Sequence, residues 1–300
     1  MVTSEILKKK EEELEWWNKF SPIMAMQWEL TPELNTILRT DFIDDFTGFL
    51  YKKDGHLLDV GCGNGWIARI FAELGMKCTG IDFSDSQINL AKSLSSTPGH
   101  DRIEYLCTDV IDFNYLSAKM KFDSIIVNAL LHHLSENEII RVIKNLEGLL
   151  TENGRIYFYE PFIFNENVNK PFDAKLIVWI SKLLSIIYKL NTRLFLTNAF
   201  YKKYKKLGYQ GKSPHERSFS SDLVINAFSD RVCVDDIRPF HVFSLTFGTH
   251  LLSLKRIPRN VLIICTKPIY KIEQFLFKSG RWKSITNEKW VLSGLKIIKT

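Results

Sequence analysis

His56 to Asp82 reads H-L-L-D-V-G-C-G-N-G-W-I-A-R-I-F-A-E-L-G-M-K-C-T-G-I-D, and the fold is decided there. Leu57, Leu58 and Val60, with Asp59 among them, make a short buried strand. Gly61, Gly63 and Gly65 form a tight turn. Trp66, Ile67, Ile70, Phe71 and Leu74 then fall on one helical face, and Gly75 suits the left-handed residue that ends such a helix. A second strand over 76–81 finishes on Asp82. The result is a βαβ unit whose glycine turn aims backbone N–H groups from a helix N-terminus, a place suited to a nucleotide-like ligand.

The spacing of the glycines narrows that ligand. A dinucleotide fingerprint G-x-G-x-x-G needs its third glycine at position 66, where the helix packs closely on the strand. This chain carries Trp66 there and Gly65 before it, with an acid two residues ahead of the first glycine. The pattern apolar-apolar-Asp-apolar-Gly-x-Gly-x-Gly resembles motif I of the class I S-adenosylmethionine (SAM)-dependent methyltransferases. The fold this implies is α/β: a Rossmann-like, doubly wound, seven-stranded sheet with an antiparallel last strand. The resemblance gives Asp59 and the turn Gly61, Cys62, Gly63 and Gly65 to the methionine part of SAM. It gives Asp82 to the ribose hydroxyls and Phe83 to the adenine face. Asp109 falls at the adenine amine with the Val110 backbone beside it, and Asn128 near the methionine amine. The product would be S-adenosyl-L-homocysteine. Each of these acids and amides alone is an ordinary turn residue. Together they end successive strands, where such sheets bind ligands.

Outward from that unit, the alternation expected of a doubly wound sheet continues. Ser84 with Gln87 has the spacing of a capping box, and Ile88, Ala91 and Leu94 continue a helix from it. Strands follow at 103–107 and 123–127. Ser135 with Glu138 caps another helix, stopped by Asn153-Gly154, and a fifth strand covers 155–160. A helix over 4–20 pairs Glu and Lys three or four apart. With a second helix over 31–50 it makes residues 1–50 an N-terminal helical lid ahead of a core at 51–161. Residues 162–220 read as a helical insertion on the acceptor side. Residues 221–300 return to the core: a short helix at 221–228, a strand at 232–237 closed by Pro239, a second insertion at about 246–288 with a helix at 258–278, and a last strand at 290–298.

The segment N-A-L-L-H-H-L at 128–134 resembles a variant found in small-molecule methyltransferases, in which a histidine reaches the transferring methyl. Methyl transfer to a hydroxyl needs orientation, exclusion of water and a base, and histidine ionises near neutrality. His133 is the first candidate and His132 the second; the plain alternative is that both only pack. Acceptor recognition falls to the variable parts: Trp17, Tyr159, Glu160, His215, Arg217 and His241. No metal is expected, since no carboxylate and histidine residues stand at metal-ligand spacing. The expected reaction is therefore O-methylation of a small molecule. Methylation of a lipid, quinone or glycan-linked acceptor at a membrane surface, and C- or N-methylation of a natural product, are the alternatives; a nucleic-acid methyltransferase or a non-catalytic SAM-fold subunit ranks behind them.

Composition sets the bounds. Of the 300 residues 45% are hydrophobic and 25% charged, an ordinary globular balance. The five cysteines are dispersed without a C-x-x-C pair, which fits reduced thiols and a cytoplasmic setting. Residues 1–150 carry 15 basic against 23 acidic side chains, and residues 151–300 carry 25 against 11. A nucleic-acid partner is not expected in spite of the basic half, because the [DN]-P-P-[YF] tetrad of amino-group methylases is missing after the fourth strand. The apolar 176–190 stretch, followed by basic residues to 206, offers a peripheral membrane or dimer contact. Interrupted by Lys182, it is too short to span a bilayer.

Overall fold

The computed structural model describes residues 2–29, 32–113, 121–163, 206–207, 213–241, 259–278 and 291–300. The chain enters through two helices, α1 (Val2–Glu29) and α2 (Pro32–Leu50). The alternating core follows: β1 (His56–Val60), α3 (Trp66–Glu73), β2 (Lys77–Asp82), α4 (Asp85–Leu94), β3 (Ile103–Cys107), β4 (Phe122–Asn128), α5 (Glu136–Leu149) and β5 (Leu150–Ile163). A short pair, β6 (Phe219–Ser220) and α6 (Ser221–Ile225), leads into β7 (Val232–His241), α7 (Arg259–Lys278) and β8 (Val291–Lys299). The 176–190 stretch and most of 202–212 lie outside the described residues.

The sheet runs β3-β2-β1-β4-β5-β8-β7, with β6 beside β5. Five neighbouring strands are parallel, and β8 is antiparallel to both β5 and β7. The chain steps outward from β1 to β3 and returns to β4, so the switch point lies between β1 and β4, and a crevice opens at their C-terminal ends.

Apolar side chains cover both faces. On one, Ile139, Val142, Ile143 and Leu146 of α5 and Val224 of α6 pack against Val60, Val127 and Phe158. On the other, Phe42 and Phe46 of α2, Ile67 and Phe71 of α3 and Ile88 of α4 pack against Leu57, Ile126 and Tyr157. Each fully buried Phe or Leu is worth about 1.5–3 kcal/mol over its exposed form. Asp45 of α2 locks that helix to the sheet, accepting from Tyr157 Oη at 2.8 Å, Lys296 Nζ at 2.8 Å and Arg238 at 3.0 Å.

The structure departs from the sequence reading in four places. The sheet has eight strands where seven were expected, the extra one being the two-residue β6, which pairs with Phe162 and Ile163. β5 starts at Leu150 and absorbs Asn153-Gly154 as an irregularity between Phe122 and Ser124 of its partner, with Asn153 at φ 60°. β7 does not stop at Pro239 but reaches His241 with a register shift there. As the edge strand it loses no ladder bond on its outer side to the missing N–H. Ser135 and Glu138 form the full capping box, whereas Ser84 caps α4 alone; Gln87 contributes its backbone N–H, and its side chain lines the crevice.

Candidate functional site

A cavity of about 670 Å³ fills the crevice. Its floor is the glycine turn. Gly61, Gly63 and Gly65 have φ of 69°, 52° and 74°, which other residues resist. The N–H groups of Gly61 and Cys62 both bond to the Ile81 carbonyl, folding the turn over the end of β2. Asp82 closes the arrangement: Oδ2 accepts from Gly63 N at 3.0 Å and Oδ1 from Ser84 N at 2.9 Å. Burial raises its carboxyl to about 6, against the pull of those N–H groups.

Two motif residues serve the turn from below. Asp59 is buried out of reach of the cavity, and its Oδ2 accepts from Ala68 N at 3.2 Å in the first turn of α3. Burial lifts its carboxyl to about 7. A Cβ at Gly65 would sit 2.2 Å from Tyr105 Oη, so this glycine admits the tyrosine and not a ligand. At Gly63 a Cβ would meet nothing nearer than 3.9 Å, which leaves the floor open to a close ligand. Cys62, Phe83, Asp109, Val110 and Asn128 also line the cavity. Asp109 already engages Lys10 Nζ of α1 at 2.7 Å and Ile111 N at 2.9 Å.

The two histidines separate into different roles. Glu160 is fully buried; its Oε1 accepts from Leu130 N and Leu131 N at 2.7 Å each, and its Oε2 from His132 Nδ1 at 2.8 Å. It therefore buckles the 128–134 segment to β5. Neither Glu160, expected at the acceptor, nor His132 borders the cavity, because each is spent on the other. His133 does border it, edge-on to Trp17 with ring centroids 5.7 Å apart. Its Nδ1 lies 2.9 Å from Ser213 Oγ, which is also 2.9 Å from Glu13 Oε1. A hydroxyl has one proton. Ser213 gives it to the Glu13 carboxylate and so accepts Nδ1–H of His133, leaving Nε2 with the lone pair.

Glu13 comes from α1. It is 5% exposed, its Oε1 also accepts from His215 N at 2.9 Å, and its Oε2 stands 3.6 Å from His133 Nδ1. Burial raises its carboxyl, but His133, His215 and Ser213 outweigh burial and hold it low. Burial and the neighbouring His132 lower the pKa of His133, while Glu13 and Glu216 oppose them. His132, His133 and Glu216 have ligand atoms within 4.8 Å of one another, a grouping that spacing along the chain did not reveal. Nδ1 of each histidine is already committed, to Glu160 and to Ser213.

Trp17, His215 and Arg217 line the cavity. His215 Nε2 meets Glu12 at 2.8 Å, and Arg217 donates to the Leu134 carbonyl. The far end is aromatic: Phe42 and Tyr159 stack with centroids 3.9 Å apart, and the Arg39 guanidinium lies 4.7 Å over the Trp66 ring. His241 and Leu292 complete that wall, with His241 Nδ1 3.8 Å from Glu273 of α7. Burial pulls Arg39 down to about 10. Sequence reasoning missed Glu13, Arg39, Phe42 and Ser213. For Glu13 a signal existed, since it lies four residues before Trp17, on the same helical face.

Residues 58–158 match the family model described as a methyltransferase domain. The ubiquinone biosynthesis O-methyltransferase of Chromobacterium violaceum is 33% identical over 145 residues, 48% of this chain and 56% of that protein. The protein of the same name from Coxiella burnetii is 28% identical over 162 residues, 54% and 60% of the two chains. The chain thus spans little more than half the length of these relatives. Among solved structures, a cyclopropane synthase from Mycobacterium tuberculosis superposes with a TM-score of 0.54 at 13% identity, covering 86% of this chain and 83% of that one. The magnesium protoporphyrin IX methyltransferase of Synechocystis PCC 6803 does so with 0.51 at 10%, covering 96% and 97%. At such identities the likeness is one of fold.

Proposed function

Residues 58–158 are a class I SAM-dependent methyltransferase core, and from that premise we propose that the chain methylates a hydroxyl group of a small aromatic acceptor. The observation that carries this reading is a single cavity joining the glycine floor and Asp82 to His133 and to the aromatic far wall. The residues present fit the cofactor: Gly63 leaves room for close approach, and Asp82 ends β2 as a carboxylate bordering the cavity. Bound SAM supplies an electrophilic methyl and leaves as S-adenosyl-L-homocysteine.

The chain's own groups supply the rest. Asp82 accepts from the ribose hydroxyls, and Asn128 and the turn backbone hold the amino-acid end. The rings of Phe42, Trp66 and Tyr159 suit a flat apolar acceptor body, and Trp17 of α1 keeps water from the reacting atoms. His133 Nε2 takes the acceptor's hydroxyl proton, while Ser213 and Glu13 hold the tautomer that frees this nitrogen. The names of the curated relatives support a phenolic, quinone-type acceptor.

The test is incubation with trideuteromethyl-SAM and a panel of catechols and hydroxylated quinols, read by mass spectrometry. We expect label on oxygen. His133→Ala should lower turnover about 10²–10⁴-fold while leaving SAM affinity within about twofold. Full turnover in both His133→Ala and His132→Ala would remove the base from the mechanism.

A further inference from the structure

Helix α7 carries a surface that neither the cavity nor the core uses. Its inner face is fixed: Thr266, Tyr270 and Glu273 are buried, Tyr270 Oη donates to Asp41 at 2.5 Å, and Gln274 Nε2 donates to the Phe240 carbonyl at 3.1 Å. At 100° per residue, Ile264, Pro268, Ile272 and Phe275 share an opposite stripe. Ile264 is 67% exposed, Ile272 60% and Phe275 65%, among the largest exposures of apolar side chains in the described residues. Lys267, Lys271 and Lys278 run along one edge of that stripe, all exposed. The helix's one acid, Glu273, lies on the buried face beside His241. The helix's own outward face is therefore three large apolar groups and three cations; Asp41 of α2, which borders a surface pocket with Lys271, Phe275 and Lys278, is already engaged by Tyr270 Oη.

We propose that this face rests on an anionic lipid bilayer, with Ile264, Ile272 and Phe275 entering the interface and the three lysines at the headgroups. Charge complementarity selects that occupant. An apolar row edged by lysines is the composition of an in-plane interfacial helix, and anionic headgroups attract each lysine near the surface. A second copy laid antiparallel on the same face about a two-fold axis would set lysine against lysine. No helix among the described residues is long and apolar enough to cross a membrane, so the contact is peripheral. The inner face of the same helix reaches the cavity wall through Glu273 and His241, so a docked α7 sets the aromatic end of the cavity close to the lipid surface. The proposal stands apart from the methyl-transfer reading.

The full chain is sedimented with vesicles of phosphatidylcholine alone and with graded phosphatidylglycerol, at low and high salt. Binding is expected only with phosphatidylglycerol, and weaker at high salt. Lys267→Glu/Lys271→Glu and, separately, Phe275→Asp should each lower partitioning about tenfold or more. Both change exposed side chains, and unaltered circular dichroism and SAM binding confirm the fold. Three outcomes overturn the proposal: no binding to phosphatidylglycerol vesicles at low salt, binding indifferent to both variants, or a dimer in light scattering that Phe275→Asp dissociates. Methylation of a soluble catechol without vesicles is measured in parallel, so either reading can fail alone.

Discussion

Glu13 reaches His133 from α1, and that contact makes a sharp test at the scale of single residues. Removing its charge takes away an interaction that raises the His133 pKa, leaving burial and His132 to lower it further against Glu216 alone. The acidic limb of the kcat/KM profile should therefore move to lower pH in Glu13→Gln. Turnover on the plateau should drop about tenfold or more as the ring loses its orientation. SAM affinity should hold, and Glu13→Asp should restore part of the loss. A limb that stays in place, read from rate or from histidine NMR titration in EDTA, makes Glu13 a structural clasp only. Asp82 gives a second test. Burial pushes its carboxyl up to about 6 in the unliganded fold, and the ionised form is the stronger acceptor for the ribose hydroxyls. SAM affinity by calorimetry should thus be flat above neutrality and weaken as pH falls through about 6. The same raised pKa makes the unliganded fold lose stability as pH rises from the ordinary 3.8 towards 6. Asp82→Asn should bind SAM weaker by about 1.5–3 kcal/mol and lose this pH dependence.

Elements, not residues, decide how the glycine turn and α1 are held. The glycine turn is held from below by β3, through Tyr105 against Gly65, and from above by whatever ligand lies on Gly63. Gly65→Ala combines a positive φ with a Cβ 2.2 Å from a tyrosine hydroxyl. It should cost at least about 2 kcal/mol in a denaturant melt. Gly63→Ala meets no such obstacle and should cost about 1 kcal/mol, with its larger effect on SAM affinity. Equal losses in both would refute the division of labour. Helix α1 is clipped at three strand ends: Lys10 to Asp109 after β3, Asn18 to Ser84 after β2 at 2.6 Å, and Glu13 to Ser213 beside His133 after β4. One helix thus covers both the cofactor end and the reacting end of the cavity.

In the whole molecule, Asp45 joins α2 to β5, β7 and β8 and is nearly inaccessible. Among the described residues, Asp45→Ala leaves Lys296 with the more distant Asp236, at 3.7 Å, as its ion-pair partner. We expect a loss of about 3–5 kcal/mol in unfolding free energy with SAM affinity of the folded protein unchanged. A loss under about 1 kcal/mol would mean that the apolar packing of Phe42 and Phe46 holds α2 by itself.

The sequence determined the βαβ core and the residues that line the glycine-turn end of the cavity, because both are local. A strand, three glycines at positive φ and a helix start follow one another along the chain, and Asp82 ends the next strand by the same periodicity. The strand ends of 109–110 and 128 were legible for that reason. It also determined that Trp66 rules out a dinucleotide fingerprint, though not that its ring would wall the far end. Only the tertiary structure decided which histidine faces the cavity, since His132 and His133 are neighbours in sequence and Glu160, in β5, takes one of them. It alone brought Ser213 to Glu13 across 200 residues. In sequence, K-K-K-E-E-E is a stripe that water or a protein partner can satisfy equally well. Burial against the segment at 213–217 makes Glu13 part of the site, and burial belongs to the folded chain.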